Sequence, residues 1–185
     1  MVRDVPADYS PVERPKGPGL SASRAWEAAA AVVDPELPML TLADLGVLRR
    51  VEARPDGSVE VAITPTYSGC PALATMCDDL VRRLGEEGFG DVRLRVELDP
   101  PWSSDDITAQ GRAALREAGI SAPGPAPRES TGPVPLTLAP VRRRLRCPRC
   151  GSTDVALTSE FGSTACEALY RCRACLEPFD HVKEH

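Results

Sequence analysis

Near the end of the chain two short cysteine pairs, Cys147-Pro148-Arg149-Cys150 and Cys172-Arg173-Ala174-Cys175, demand a local geometry that few other sequences require. Two intervening residues let both sulfurs of a pair face one ion, and two such pairs complete a tetrahedral cage of four thiolates. Gly151 follows the first pair, where a metal knuckle turns through a backbone conformation that needs positive φ. The 21 residues between Cys150 and Cys172 suffice for a hairpin. The spacing points to a zinc ribbon held by Cys147, Cys150, Cys172 and Cys175; an iron–sulfur cluster or a pair of redox dithiols are the other chemistries open to such a set.

The rest of the chain is read around that anchor. Of 185 residues 42% are hydrophobic but only 4% aromatic, so a core must be assembled from Ala, Val and Leu. No apolar run is long enough to cross a membrane. The first 20 residues hold four prolines and no apolar signal segment, which argues against secretion, and seven cysteines in such a chain fit a reducing cytoplasm.

Charge is uneven. Residues 1–120 carry 13 basic and 20 acidic side chains, whereas residues 121–185 carry 9 and 7. Zinc on four thiolates is an anionic centre, which Arg142, Arg143, Arg144, Arg146, Arg149, Arg171 and Arg173 would balance. With an acidic body attached and few aromatic residues to stack on bases, a nucleic-acid partner is not expected.

Four segments follow. Residues 1–20 read as a flexible arm, residues 21–120 as a body, residues 121–140 with six prolines as an extended linker, and residues 141–185 as the ribbon. No internal repeat is apparent. In the body, Trp26, Ala29, Ala30 and Val33 form a helical stripe, with Ser21 or Ser23 as caps. Strands over 46–53 and 58–64 flank the turn Pro55-Asp56-Gly57, with Val59, Val61 and Ile63 inward against Glu60 and Ala62. A second helix from Pro71 to Glu87 aligns Leu73, Met76, Cys77, Leu80, Val81 and Leu84. The cleanest strand carries Val92, Leu94, Val96 and Leu98 on one face. Ser103 caps a third helix, with Asp105 and Asp106 in its first turn and Gly119 closing it. The order α-β-β-α-β-α predicts an α+β fold, a three-stranded sheet with helices on one face, followed by the small C-terminal zinc ribbon.

Cys70 is the reactive candidate. With Pro71 at the first helical position, Cys70 lies at or beside the helix cap, where backbone N–H groups and the dipole would lower its pKa. Gly69 would leave room for a partner or a metal. Asp34, Glu36 and Asp44 lie on loops, where they could hold iron or a basic partner, or equally serve as turn caps. Cys77 reads as a small core residue and Cys166 as a spare thiol. Trp102 reads as an anchor folded over the sheet, and Phe161, Tyr170 and Phe179 as packing around the metal cage. A thiol enzyme needs a positioned base, and the two histidines, His181 and His185, fall outside the body.

Three phrases of the body carry a resemblance: Asp34-Pro35-Glu36-Leu37-Pro38 with Asp44-Leu45-Gly46, Thr64-Pro65-Thr66-Tyr67-Ser68-Gly69-Cys70-Pro71, and Pro100-Pro101-Trp102-Ser103. They resemble the iron–sulfur-assembly domain of SufT-type bacterial proteins and eukaryotic cytosolic cluster-targeting factors. The ribbon phrases around Cys147, Phe161 and Leu169–Asp180 narrow it: the combination is similar to the PaaD family of accessory proteins in phenylacetyl-CoA epoxidase systems. That resemblance implies a non-enzymatic accessory factor in aerobic phenylacetate catabolism, assisting assembly of an iron–sulfur or di-iron centre. It implies the oxygenase and reductase subunits of the epoxidase as partners. It also implies structural zinc, with iron or a cluster carried transiently by Cys70 aided by Asp34 and Glu36. A purely architectural component of the epoxidase is the alternative, and a homo-oligomer stays open.

Overall fold

The computed structural model describes residues 20–67, 69–126 and 145–184. The predicted arm, most of the predicted linker, and Arg142, Arg143 and Arg144 lie outside the described residues. Two compact units emerge: one runs to Trp102 and takes in Asp106–Ala114, the other comprises Ser103–Asp105 and the chain from Leu115.

In the first unit, α1 (Leu20–Ala30) buries Ala25, Ala28 and Ala29, and Val32 continues the buried stripe just past its end. That stripe is offset by one residue from the predicted one, with Ala29 common to both. The two have the same spacing, so periodicity could not choose between them. Alanines inside let the helix approach the sheet closely, whereas Val33 is 47% exposed and bridges to Thr41 instead. Ser21 and Ser23 fall within the helix.

Strands β1 (Leu48–Ala53) and β2 (Ser58–Ile63) form the expected antiparallel hairpin. Its turn uses Gly57 at φ +84°, and the Ser58 N–H donates to Asp56 Oδ1 at 3.0 Å. β3 (Asp91–Val96) joins β2 in parallel, giving the order β1-β2-β3, with α2 (Leu73–Glu86) as the crossover. β2 is therefore the central strand, and all six of its residues are buried. Glu60, expected to face solvent, lies under the guanidinium groups of Arg54 at 2.6 Å and Arg95 at 2.7 Å. The strand with the clearest alternation, β3, is the less buried one: Val92 and Leu94 are half-buried, Val96 is exposed, and Leu98 lies beyond its end. An edge strand has a neighbour on one side alone, which the alternation of its residues does not reveal.

α2 buries Met76, Leu80 and Leu84, each worth about 2 kcal/mol of removed apolar surface. Cys77 is half-buried and Val81 exposed, so the stripe is narrower than predicted. Gly88 at φ +92° ends the helix, and the Phe89 N–H returns to the Leu84 carbonyl. Thr108, not Ser103, caps α3 (Ala109–Glu117), its hydroxyl accepting the Gly111 N–H at 2.9 Å. Ser103 accepts the Asp105 N–H at the short 3-10 turn Ser104–Asp106. Asp106, expected in the first turn of α3, pairs with the buried Arg49 at 2.8 Å. Gly119 takes φ +79° after α3, as anticipated.

The second unit is a ribbon of β4 (Val155–Ser159), β5 (Glu167–Cys172) and β6 (Pro178–Val182), all antiparallel in that order. Leu145, Ala168, Tyr170 and Phe179 form its core with Cys147 and Cys172. Tyr170 stacks on Phe179 at 5.9 Å between ring centroids. Phe161, expected beside them, is 72% exposed. His181 is fully buried within β6 with its ring edge-on to Tyr170. Ser121 adds a parallel bridge to β6: its N–H donates to Asp180 and its carbonyl accepts from Val182. No helix among the described residues is long and apolar enough to cross a membrane.

Candidate metal centre and reactive thiol

The four ribbon cysteines converge as their spacing requires, with all four sulfurs within 4.8 Å of one another. Cys147 and Cys175 sulfurs lie 3.7 Å apart, and those of Cys150 and Cys172 lie 3.6 Å apart. Four sulfurs on a tetrahedral ion at a bond length of about 2.3 Å would be separated by about 3.8 Å. The donor set thus fits a thiophilic tetrahedral cation. Against one another the four thiols do not share one acidity. The Ser152 N–H favours the Cys150 thiolate, but desolvation and the neighbouring thiols push Cys150 up to about 12. Cys172, facing the N–H groups of Cys175 and Ala174, falls to about 7.

The two knuckles repeat one another. In the first, the Cys147 N–H donates to the Ser152 carbonyl at 2.9 Å and Arg146 donates to the Gly151 carbonyl. In the second, the Cys172 N–H donates to Glu177 at 2.9 Å and Arg171 donates to Leu176. Gly151 and Leu176 both take left-handed backbone, φ +73° and +67°. The repeat is hard to see in the sequence because Pro148, Arg149 and Gly151 are replaced by Arg173, Ala174 and Leu176. Cys166 stays outside the cage, 3.0 Å from the Thr164 hydroxyl.

The loops of the body form the second site. Cys70 precedes α2 by two residues more than predicted, because Ala72 is the cap and Leu73 the first helical residue. Its N–H donates to Tyr67 and its carbonyl accepts from Leu73, so Cys70 sits in consecutive turns, half-buried. The predicted lowering of its pKa does not occur. Burial pushes the thiol up, and Glu36 and Asp34 push it further; the N–H groups of Ala72 and Leu73 pull the other way and are outweighed. These cross-influences place the 34–36 loop beside Cys70, although the three side chains do not converge as closely as the ribbon cysteines.

Asp34 Oδ1 accepts the N–H groups of Glu36 and Leu37, both at 2.8 Å, a turn role that holds the buried carboxylate in place. Glu36 is raised by burial and by Asp34. Asp44 is taken up by structure, receiving the hydroxyls of Thr41 at 2.8 Å and Thr108 at 2.9 Å. The space above Gly69 is filled: a Cβ there would lie 2.8 Å from the Tyr67 ring. Tyr67, itself half in solvent, lies within the Thr64–Pro71 motif, but its cover over Gly69 was not anticipated; its position two residues before Gly69 was the available signal.

An α+β domain with a half-buried thiol beside the 34–36 loop, followed by a four-cysteine ribbon, is the architecture of a metal-handling protein. The family model described as "PaaD zinc beta ribbon domain" matches residues 131–183, and that described as "Iron-sulfur cluster assembly protein" matches residues 23–86. An Escherichia coli (strain K12) protein, one component of what its name calls a "Putative 1,2-phenylacetyl-CoA epoxidase", is 43% identical over 158 residues, spanning 85% of this chain and 90% of its own. The chain belongs to the family of that epoxidase component, in which the assembly domain and the PaaD ribbon are joined. The body alone is similar to the "Fe-S protein maturation auxiliary factor YitW" of Bacillus subtilis (strain 168), 29% identical over 45% of this chain and 82% of that protein. It is equally similar to the "Fe-S protein maturation auxiliary factor SufT" of Staphylococcus aureus (strain USA300), 29% identical over 45% of this chain and 96% of that one.

Proposed function

We propose that this chain is an accessory factor of a phenylacetyl-CoA epoxidase, assisting assembly of a metal centre in the oxygenase or reductase subunits, with Cys70 as the working thiol and zinc held by the ribbon. The observation that carries the reading is similarity across both units at once to the Escherichia coli epoxidase component, joined to body-only similarity with maturation factors. The site chemistry supports it. Negative charge from Asp34 and Glu36 disfavours a free thiolate at Cys70 and favours a cation beside it. Iron or a cluster is therefore the suited cargo, and a free nucleophilic thiolate is not. His181 is buried in the ribbon unit, so no imidazole of the body activates Cys70. Four thiolates, with no nitrogen ligand beside them among the described residues, favour a closed structural zinc site.

The test is epoxidase produced in cells carrying either the parent chain or Cys70→Ala. The expected result is client protein with depleted iron while the variant still associates with it. Full metal content in the client would sink the reading. The Escherichia coli relative's naming as part of the epoxidase favours a second reading, an architectural component, which requires co-purification at fixed stoichiometry and no effect of Cys70→Ala.

A further inference from the structure

The two knuckles differ at one position where the backbone would prefer them alike. Gly151 occupies its left-handed conformation without cost, whereas Leu176 places a Cβ against the following carbonyl oxygen in the same conformation. Packing does not offset this, for Leu176 is 61% exposed. The bond from Arg171 uses only the Leu176 carbonyl, and glycine would keep it. Neither the metal cage nor the ribbon core uses the leucine side chain. We propose that Leu176 is a docking contact, entering an apolar socket rimmed by carboxylates on a protein partner.

The surroundings define that partner's chemistry. Arg146, Arg149, Arg171 and Arg173 are all exposed on the same two knuckles. Each guanidinium has five N–H donors, and the bonds named here occupy few of them, leaving donors that carboxylate oxygens would fill. Arg149 is paired with Glu177 at 2.5 Å and Arg173 with Asp154 at 3.8 Å. With a doubly anionic thiolate centre beside them, the face is close to neutral, so net charge favours no anion and recognition falls to directional guanidinium–carboxylate hydrogen bonds. A few discrete carboxylates around an apolar pocket suit it. Within the same unit a cavity of about 430 Å³, lined by Pro148, Pro178, Phe179, Arg116 and Glu177 among others, offers a recess for a projecting partner side chain. An apolar prong with an adjacent recess is a protein-binding pattern.

The inference rests on the proposed function for its choice of partner. The experiment uses the full metal-loaded chain, Leu176→Gly and Leu176→Asn, titrated separately against purified oxygenase and reductase subunits of a phenylacetyl-CoA epoxidase. Both variants suit left-handed backbone. The expected result is that Leu176→Gly melts about 4 °C higher while binding about tenfold more weakly or worse, with Leu176→Asn equally weak. Unchanged affinity in both variants overturns the proposal and leaves the reading of Cys70 standing. A lower melting temperature for Leu176→Gly also overturns it, since the side chain would then serve the fold. An oligonucleotide that binds the parent chain and not Leu176→Gly would assign the face to nucleic acid and overturn it too. If neither purified protein binds the parent chain, the choice of epoxidase as client fails together with this proposal.

Discussion

The indole N–H of Trp102 donates to the carbonyl of Leu45 at 2.9 Å, tying the segment after β3 to the turn before β1. Leu45 is followed by Gly46 at φ +75°, where a Cβ would meet Asp106 at 2.6 Å, so the backbone there is fixed from both sides. The double proline before Trp102 limits the ways in which its ring can reach the core, and the ring is almost wholly buried.

Trp102→Phe keeps most of the apolar surface and removes that donor, leaving a buried carbonyl without this partner. The expected loss is about 1–3 kcal/mol. Urea unfolding should show a lower midpoint with the slope unchanged. A variant as stable as the parent would mean that water or a backbone shift satisfies Leu45.

Removing the ribbon's metal should unfold more than the cysteine knuckles. Ser121 is hydrogen-bonded to Asp180 and Val182, and the Gly124 N–H reaches Glu184 at 3.2 Å. Chelation is therefore expected to strip amide protection from Ser121, Gly124 and β4–β6 together, while β1–β3 keep theirs, because metal binding is folding free energy for the small ribbon. Hydrogen exchange with and without chelator measures this, and loss of protection in β2 would contradict it.

Alkylation of Cys70 should be slow at neutral pH and accelerate only on the alkaline side of the ordinary thiol range. The folded thiol is raised by burial and by Glu36 and Asp34, so the folded state holds its proton more tightly than the unfolded chain. The associated stability is therefore complete below the unfolded pKa of about 8.5 and is lost as pH rises through the higher folded value. Mass spectrometry of Cys70 alkylation across pH gives the profile. Replacing Glu36 by Gln should shift its midpoint downward, and an unshifted midpoint would leave burial and Asp34 as the causes.

Much of this protein was legible because its signals are local. A Cys-Xaa-Xaa-Cys pair needs only its own turn to aim two sulfurs at one ion. Asp56 and Gly57 need only each other and Ser58 to make a hairpin turn. The helices and strands, their order, the Gly119 stop and the Trp102 anchor were readable for the same reason.

What the chain could not state in its own order concerns neighbours far apart in sequence. The inward face of α1 was decided by the sheet's accepting alanines more closely than Trp26, at a spacing that both stripes share. Glu60 became buried because β3 arrived on the open side of β2 and brought Arg95 with it. Cys70 was expected to be acidic from its place before a helix, yet burial and a loop more than thirty residues earlier set its proton affinity. The sequence alone determined the turns, the metal ligands and the succession of elements, since each depends on a few adjacent residues. Tertiary structure decided burial and acidity, since both depend on which distant charges and surfaces the fold brings alongside.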